Sequence, residues 1–368
     1  MSLTAAFDPE AARQGFEYCY EHGWTDGLPV IPPTEEHVRQ FLDGAGRDPD
    51  EIVARAPHLG KSCTVRQAAM NAVMAGCLPE YFPVVLAALE SIWGKGAGFA
   101  NMQSTTGPCP MIVVNGPIRQ QIGINCQGNA LGPGFRANAT IGRTLRLVVL
   151  NVFGVRPHGL DQATQSTPAK YTFCFGENEE ESPWEPLHVE LGLPAGTSAV
   201  TTYTCRGNMH VENRHSQDPE KVLLTIADAM SYAGGPSFYR RSASCVVMGP
   251  EHAQLLARAG WSKAQVKQFL WEHFGRRLGE MRRVGRGDFE EHREGVYNLV
   301  EKAHEGHRLP EAENMTDETF INFGPSPDGI LLVVAGAKNA GVSTVVPPMA
   351  GQLVDAIKTS TVAVRPAN

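Results

Sequence analysis

Apolar positions along the chain recur in two rhythms. In EAARQGFEYCYEH, TEEHVRQFL and PEKVLLTIADAMSYA they return at the spacing that lines one face of a helix. In MIVV (111–114), CVVM (245–248) and GILLVVAG (329–336) they run without interruption and stop at a glycine or an Asn-Gly or Gly-Pro pair, the mark of a short buried strand. The first rhythm predicts helices over 10–22, from Thr34 as N-cap, and over 65–92 as two pieces parted by Gly76 to Pro79. A further helix is expected at NATIGRTLRLVVLNVFG, with Asn138 as its cap and Ile141, Leu145 and Val148 on its apolar face. Later helices are expected over 219–233, over GPEHAQLLARAG, from Ser262 onward, and as a charged stretch over 288–305, with TVAVRP forming an edge strand. Between these elements, residues 94–137 make a long stretch rich in Gly, Asn, Gln, Ser and Thr. Loops of that length inside compact domains are usually functional.

Helices alternating with short buried strands predict an α/β fold, with largely parallel strands and helices on both faces. The order PEYFPVVLAALESI then PMIVVNGP is echoed by PEKVLLTIADAMSYA then CVVMGP. That echo suggests two similar α/β units, 1–200 and 201–368, within two domains or one compact domain.

Composition removes several classes of function. Hydrophobic residues at 42% and charged residues at 19% are an ordinary globular balance. A formal charge of −7 gives no reason to expect nucleic acid, which needs clustered Lys and Arg; the basic stretch from Arg276 to Arg286 reads as a solvated helix face. No apolar run approaches the ~20 residues that span a bilayer. The start, MSLTAAFDPEAARQGFEY, lacks the basic and apolar regions of a signal peptide, so a cytoplasmic protein is expected. The eight cysteines contain no Cys-x-x-Cys pair, which argues against zinc ribbons and thioredoxin motifs and for buried free thiols.

Candidate chemistry concentrates in loops. Strands ending at Asn115-Gly116, at Gly249-Pro250-Glu251-His252 and at Ala335-Gly336 bring those residues together if they are parallel neighbours, since ligands of α/β sheets bind beyond the carboxyl ends. Glu251 and His252 then stand at a helix start, as proton-exchanging groups or as a plain cap. GNALGPGFRANATIGR sets glycines before a helix N-terminus between Arg136 and Arg143; with Asn138 these suit an anion, and a Gly-rich turn is the competing account. The acidic stretch CFGENEEESPWEPLHVE is tethered by apolar flanks. Its Glu177, Glu179 and His188, with His210 and His215 from CRGNMHVENRHSQ, have the residue types of a divalent transition-metal site, although a hydrogen-bonded structural network explains them too. Cys109 and Cys126 are candidate nucleophiles only where a neighbour lowers the thiol pKa.

The stretches WTDGLPVIPPTEEHV, RANATIGRTLRL, CFGENEEESPWEPLHVE and GPEHAQLLARAGWSKAQVKQFLWEH resemble those of a bacterial family, the UGSC-type (seleno)proteins, over most of the chain. The resemblance implies thiol or selenol redox work carried by a Sec-Gly-Ser-Cys motif. This chain has no Cys-Gly-Ser-Cys, so the carrier residues are missing and no catalytic residue transfers.

The leading expectation is an enzyme of lyase or hydrolase type, acting on a small anionic molecule by acid–base or metal-assisted chemistry. Glu251, His252, His188, Asn115 and Cys109 are its candidate catalytic groups, and Arg136, Asn138 and Arg143 its anion holders. Its long apolar helices suit a homodimer, and neither nucleic acid nor a membrane is an expected partner. A thiol-dependent oxidoreductase using Cys109, Cys126 or Cys174 is the first alternative, and a non-catalytic binding protein the second.

Overall fold

The computed structural model describes residues 8–95, 102–235, 242–286, 315–349, 358 and 360–365. The charged helix expected over 288–305 lies outside the described residues. In chain order the strands are β1 (Ile52–Ala56), β2 (Lys61–Thr64), β3 (Cys109–Asn115), β4 (Cys174–Gly176), β5 (Ala199–Cys205), β6 (Met209–Glu212), β7 (Ser244–Met248), β8 (Gly275–Arg277), β9 (Phe320–Asn322), β10 (Ile330–Val334), β11 (Val342–Val346) and β12 (Thr361–Ala363). Helices start where the sequence supplies caps. Asp8 caps Pro9–Glu21, Thr34 caps Glu35–Ala45, and Thr64 with Gln67 and Ser262 with Gln265 form capping boxes for Val65–Ala75 and Lys263–His273.

Two four-stranded sheets carry the architecture. Sheet one has the order β12-β5-β3-β4 and sheet two the order β10-β7-β11-β6. Alternate residues of each central strand serve different cores. Met111, Val113 and Tyr203 of sheet one meet Cys245, Val247, Leu331 and Val333 of sheet two in a layer between the sheets. Ile112, Val114 and Val200 face outward beneath the helices Val65–Ala75, Phe82–Trp93 and Arg136–Asn151. Val246, Met248, Leu332 and Val334 face the helices Pro219–Met230 and Lys263–His273 on the far side. The layers therefore run helix, sheet, sheet, helix. Among the described residues, no helix is long and apolar enough to cross a membrane.

The α/β class holds, but two finer expectations do not. Among the described strands only β3 with β4 and β7 with β10 pair in parallel; the other pairings are antiparallel, so the sheets are mixed rather than largely parallel. Each sheet has helices on one face and its sister sheet on the other, not helices on both. A continuous apolar strand reports two covered faces without saying what covers them. Connection length supplies the direction. From β10 to β11 the chain has only residues 335–341, too few for the crossover of a dozen or more residues that parallel pairing needs.

A division at residue 200 falls at the start of β5, and the chain passes between sheets at Arg206–Asn208. Sheet two is built wholly from residues 209–346, whereas sheet one takes its outer strand from residues 361–363, an edge strand as its pattern predicts, so the first 200 residues do not complete sheet one alone.

Tyr203 carries a polar group into the layer between the sheets. The Tyr203 hydroxyl donates to Ala243 O at 2.8 Å and approaches Val346 O at 3.4 Å, tying β5 to sheet two. Replacing Tyr203 with Phe leaves a buried carbonyl without this donor and is expected to cost about 1–2 kcal/mol. Urea unfolding of the two proteins measures it; an unchanged midpoint at unchanged slope would mean the bridge contributes nothing.

Candidate functional site

Parallel pairing of β3 and β4 brings Asn115 and Gly176 to the same end of sheet one. The next two residues step across to sheet two. Glu177 N bonds Val114 O at 3.0 Å, and Asn178 N bonds Val334 O at 2.7 Å. Asn178 Nδ2 then reaches Gly336 O at 3.0 Å. The polar loop after β3 closes the same end, with Gly176 N on Asn125 O and Gly336 N on Cys126 O. The ends of β3, β4 and β10 thus meet, and the acidic stretch lies across them.

Nearly every carboxylate of that stretch has a designated partner. Glu179 Oε1 accepts from Asn115 Nδ2 at 2.9 Å and Gly116 N at 2.7 Å, while its Oε2 faces Arg119 at 3.1 Å. Gly116 is needed there: at φ +78 a Cβ would lie 2.2 Å from Thr197 O. Glu180 takes both ends of the Arg119 guanidinium, each at 3.0 Å, in fork-to-fork geometry. Glu181 pairs with Lys338 at 2.6 Å and accepts from Gln254 at 3.0 Å. Glu190 pairs with Lys263 at 2.6 Å and with Lys267.

Glu177 is the exception. Among these five carboxyls it alone has no cation of the described residues at ion-pair distance, and it is 1% exposed. Its Oε2 accepts from Asn115 Nδ2 at 2.6 Å and from Leu187 N at 2.8 Å, and its Oε1 accepts from no described group. Burial pushes its carboxyl pKa up, against the opposing pull of Lys263, Asn115 and the Leu187 N–H. A proton on Oε1 also evens the local charge, because Arg119, Lys263, Lys267 and Lys338 then face four carboxylates. Beside it, His188 is fully buried with neither ring nitrogen hydrogen-bonded to a described group, and Asn115 Oδ1 and Asn178 Oδ1 are equally unmatched among the described residues. Burial pushes the His188 pKa down, with Glu179 opposing and Arg119 and Lys263 assisting, which favours the neutral ring. Unmatched buried polar atoms are rare, and four in one cluster mark it as a place for a ligand or ordered water.

The other expected residues are placed elsewhere. His210 and His215 are exposed; His210 lies on β6, at the opposite edge of sheet two from β10, and pairs weakly with Glu212 at 3.8 Å. They do not join Glu177, Glu179 and His188, and among the described residues no group of three or more His, Cys, Asp or Glu is arranged to hold a metal ion. His252 is a satisfied core residue. Nε2 faces Asn213 O at 3.1 Å and so carries the proton, while Nδ1 meets Ser343 Oγ at 2.8 Å. Glu251 stands half-buried in the first turn of the helix Pro250–Arg258, in the position of a plain dipole partner.

The expected anion holders also have other work. Phe135, not Asn138, is the N-cap of the helix Arg136–Asn151; Asn138 lies inside the first turn, where its side chain clamps Asn125 and Ala130 of the preceding loop. Arg143 forms a two-pronged pair with Asp26, and Arg136 Nε donates to Gly76 O. The three do not converge on one anion. Cys109 lies 3.4 Å from Cys205 Sγ in the core, and this neighbour together with burial holds its pKa well up; burial raises Cys174 as well. Cys126 is also raised by burial, yet it alone of the three touches the cluster, at 3.7 Å from Arg119 Nη1. Arg119 and Lys263 belong to the site and escape notice in the sequence. The one hint is position: Arg119 follows one turn after the Asn-Gly-Pro that ends β3, and Lys263 opens a capped helix.

Matched against protein-family models, curated proteins and solved structures, the chain finds no counterpart.

A raised carboxyl pKa in the folded state means that the fold keeps a proton the unfolded chain releases. Glu177 therefore lowers stability increasingly as pH rises above the ordinary carboxylate range. Glu177→Gln should melt above the natural protein at about pH 8, with the difference shrinking toward about pH 5. Thermal unfolding at both values checks this; a lower melting temperature for the variant at pH 8 would mean that Glu177 is ionised.

Proposed function

We propose that the protein is an enzyme of lyase or hydrolase type that moves protons on a small carboxylate. Glu177 and His188 carry the reading: a buried carboxyl favoured as the acid, and a buried neutral imidazole free to accept a proton, at one end of the strands. Two titratable groups whose surroundings push them to opposite roles are the usual way to run acid and base chemistry near neutral pH. In an elimination, His188 would take the proton from the carbon while Glu177 Oε1–H protonates the departing hydroxyl; in a hydrolysis, His188 would activate water instead. Asn115 Oδ1 would orient the reacting group.

Glu180 suggests the substrate class. It is half-exposed, and it occupies the forked face of a buried arginine as a bound carboxylate would. A substrate carboxylate that displaced Glu180 from Arg119 would both gain a two-pronged cation and open the way to His188. This assignment moves the anion-holding role from Arg136, Asn138 and Arg143 to Arg119, and it rests on acid–base groups rather than on a metal. A thiol-dependent step keeps one supporting contact, between Cys126 and Arg119; selective alkylation of Cys126 ahead of the other thiols would favour it.

Glu180→Gln weakens the internal competitor while keeping its volume. In this variant malonate or succinate should raise the melting temperature more than in the natural protein, and Arg119→Lys should abolish the response. Equal responses in all three proteins would remove Arg119 as the carboxylate site. With a turned-over substrate in hand, His188→Ala should lower kcat by about 10²-fold or more while the fold persists. A loss confined to stability would make His188 structural.

A further inference from the structure

At the other end of sheet one lies a cleft of about 890 Å³ that the acid–base cluster does not use. Its walls are the turn after the helix Pro9–Glu21, the last turns of the helix Arg136–Asn151 around Arg146 and Leu150, and the loop that leads into β4. It lies where chain enters β3 and β4, whereas Glu177 and Asn115 lie where those strands end.

The charge of this cleft is uneven. Arg146, Arg156 and Lys170 line it, and the carboxylates in its wall are Asp161 and Asp26. Asp26 is already matched by the two-pronged Arg143 pair. Asp161 is left against three cations, a surplus of two positive charges. Lys170 Nζ and Arg146 Nη2 both converge on one atom, Asp161 Oδ2, at 2.6 and 3.3 Å. That single bond is the only one Arg146 makes to a described group, and the rest of its guanidinium donors are uncommitted. Arg156 has no carboxylate at ion-pair distance among the described residues; it donates to Gly23 O, where a Cβ at position 23 would lie 2.6 Å from its Nη1. Burial works against the charges of both Arg146 and Lys170, and an added anion would relieve it.

The backbone of the wall is strained as well. Three non-glycine residues have positive φ among the described residues, and His158 and Ser166 of this cleft are two of them. Such conformations persist where surrounding structure holds them, and they gather at ligand sites.

We propose that this cleft is a second ligand site, for a small phosphate monoester whose phosphoryl group is held by Arg146, Lys170 and Arg156. The surplus of two charges matches a dianion. Convergence of two cations on one point selects a compact dianion over a dicarboxylate, whose charges are spread. The volume exceeds what a phosphate ion fills and falls within the range of pockets for small metabolites, with Tyr20 and Tyr171 placed to cover the organic body. The inference is independent of the carboxylate reading, because the two sites share no residue.

Isothermal titration of the full chain with inorganic phosphate, AMP, glucose 6-phosphate and succinate tests it. Saturable binding of AMP or glucose 6-phosphate is expected, weakened at least tenfold by Lys170→Met and unchanged by Lys221→Met, an exposed lysine remote from the cleft. Asp161→Asn, which removes the internal competitor, should tighten it. Binding of inorganic phosphate as tight as that of either ester would make the free ion the ligand at the same three cations. Arg156→Met, whose side chain is exposed, serves if Lys170→Met fails to fold. The proposal falls if no phosphate compound binds, if both lysine variants weaken binding equally, or if succinate binding is lost with Lys170.

Discussion

The dry layer between the two sheets decides where this molecule is able to be polar. Both faces of both sheets are covered, so the strand interiors admit almost nothing that needs water; the Tyr203 hydroxyl enters only by bonding across to Ala243. Three of the eight cysteines, Cys109, Cys205 and Cys245, are committed to that layer as small apolar fillers. Two clusters of charged side chains stand at the two rims of sheet one. At one rim is the glutamate cluster on Arg119, and at the other the cationic cleft around Asp161. A constraint of packing has sorted the chemistry by end.

Much of the architecture was legible because local signals and tertiary structure agree. Thr34 and Ser262 announce helices in the sequence and cap them in the fold, and Gly76 ends one helix in the left-handed conformation. The buried strands at 111–114, 245–248 and 330–334 stood out for the same reason. What was not legible depends on partners. β4 and β6 are short, and Thr-rich strands such as AVTTYTC are buried by a neighbouring sheet that no local pattern reveals. In both sheets a central strand pairs in parallel on one side and antiparallel on the other, and an outer strand pairs antiparallel with that second neighbour.

The candidate site was legible in part. Apolar flanks marked the acidic stretch as tethered, and Asn115, Glu177, Glu179 and His188 do gather. His210 and His215 were grouped with them on residue type alone, yet they sit across sheet two, because β6 leaves sheet one at Arg206. Arg136 and Arg143 looked free because a sequence does not show that Asp26 and Gly76 would occupy them. Charge is decided by neighbours, and neighbours are a property of the fold.

The placement of the outer strands has a consequence for how the chain assembles. β6 follows β5 directly yet pairs with β11, and β12 follows β11 yet returns to β5. Sheet one is therefore closed by a strand delivered from the far end of the sequence, and sheet two by pairing β6 with a strand more than a hundred residues later. During synthesis, β5 and β6 wait with open edges until the last third of the chain has emerged. Contacts of such long sequence separation make folding slow and all-or-none, and leave those edges as the points where two nascent copies would most readily pair by mistake.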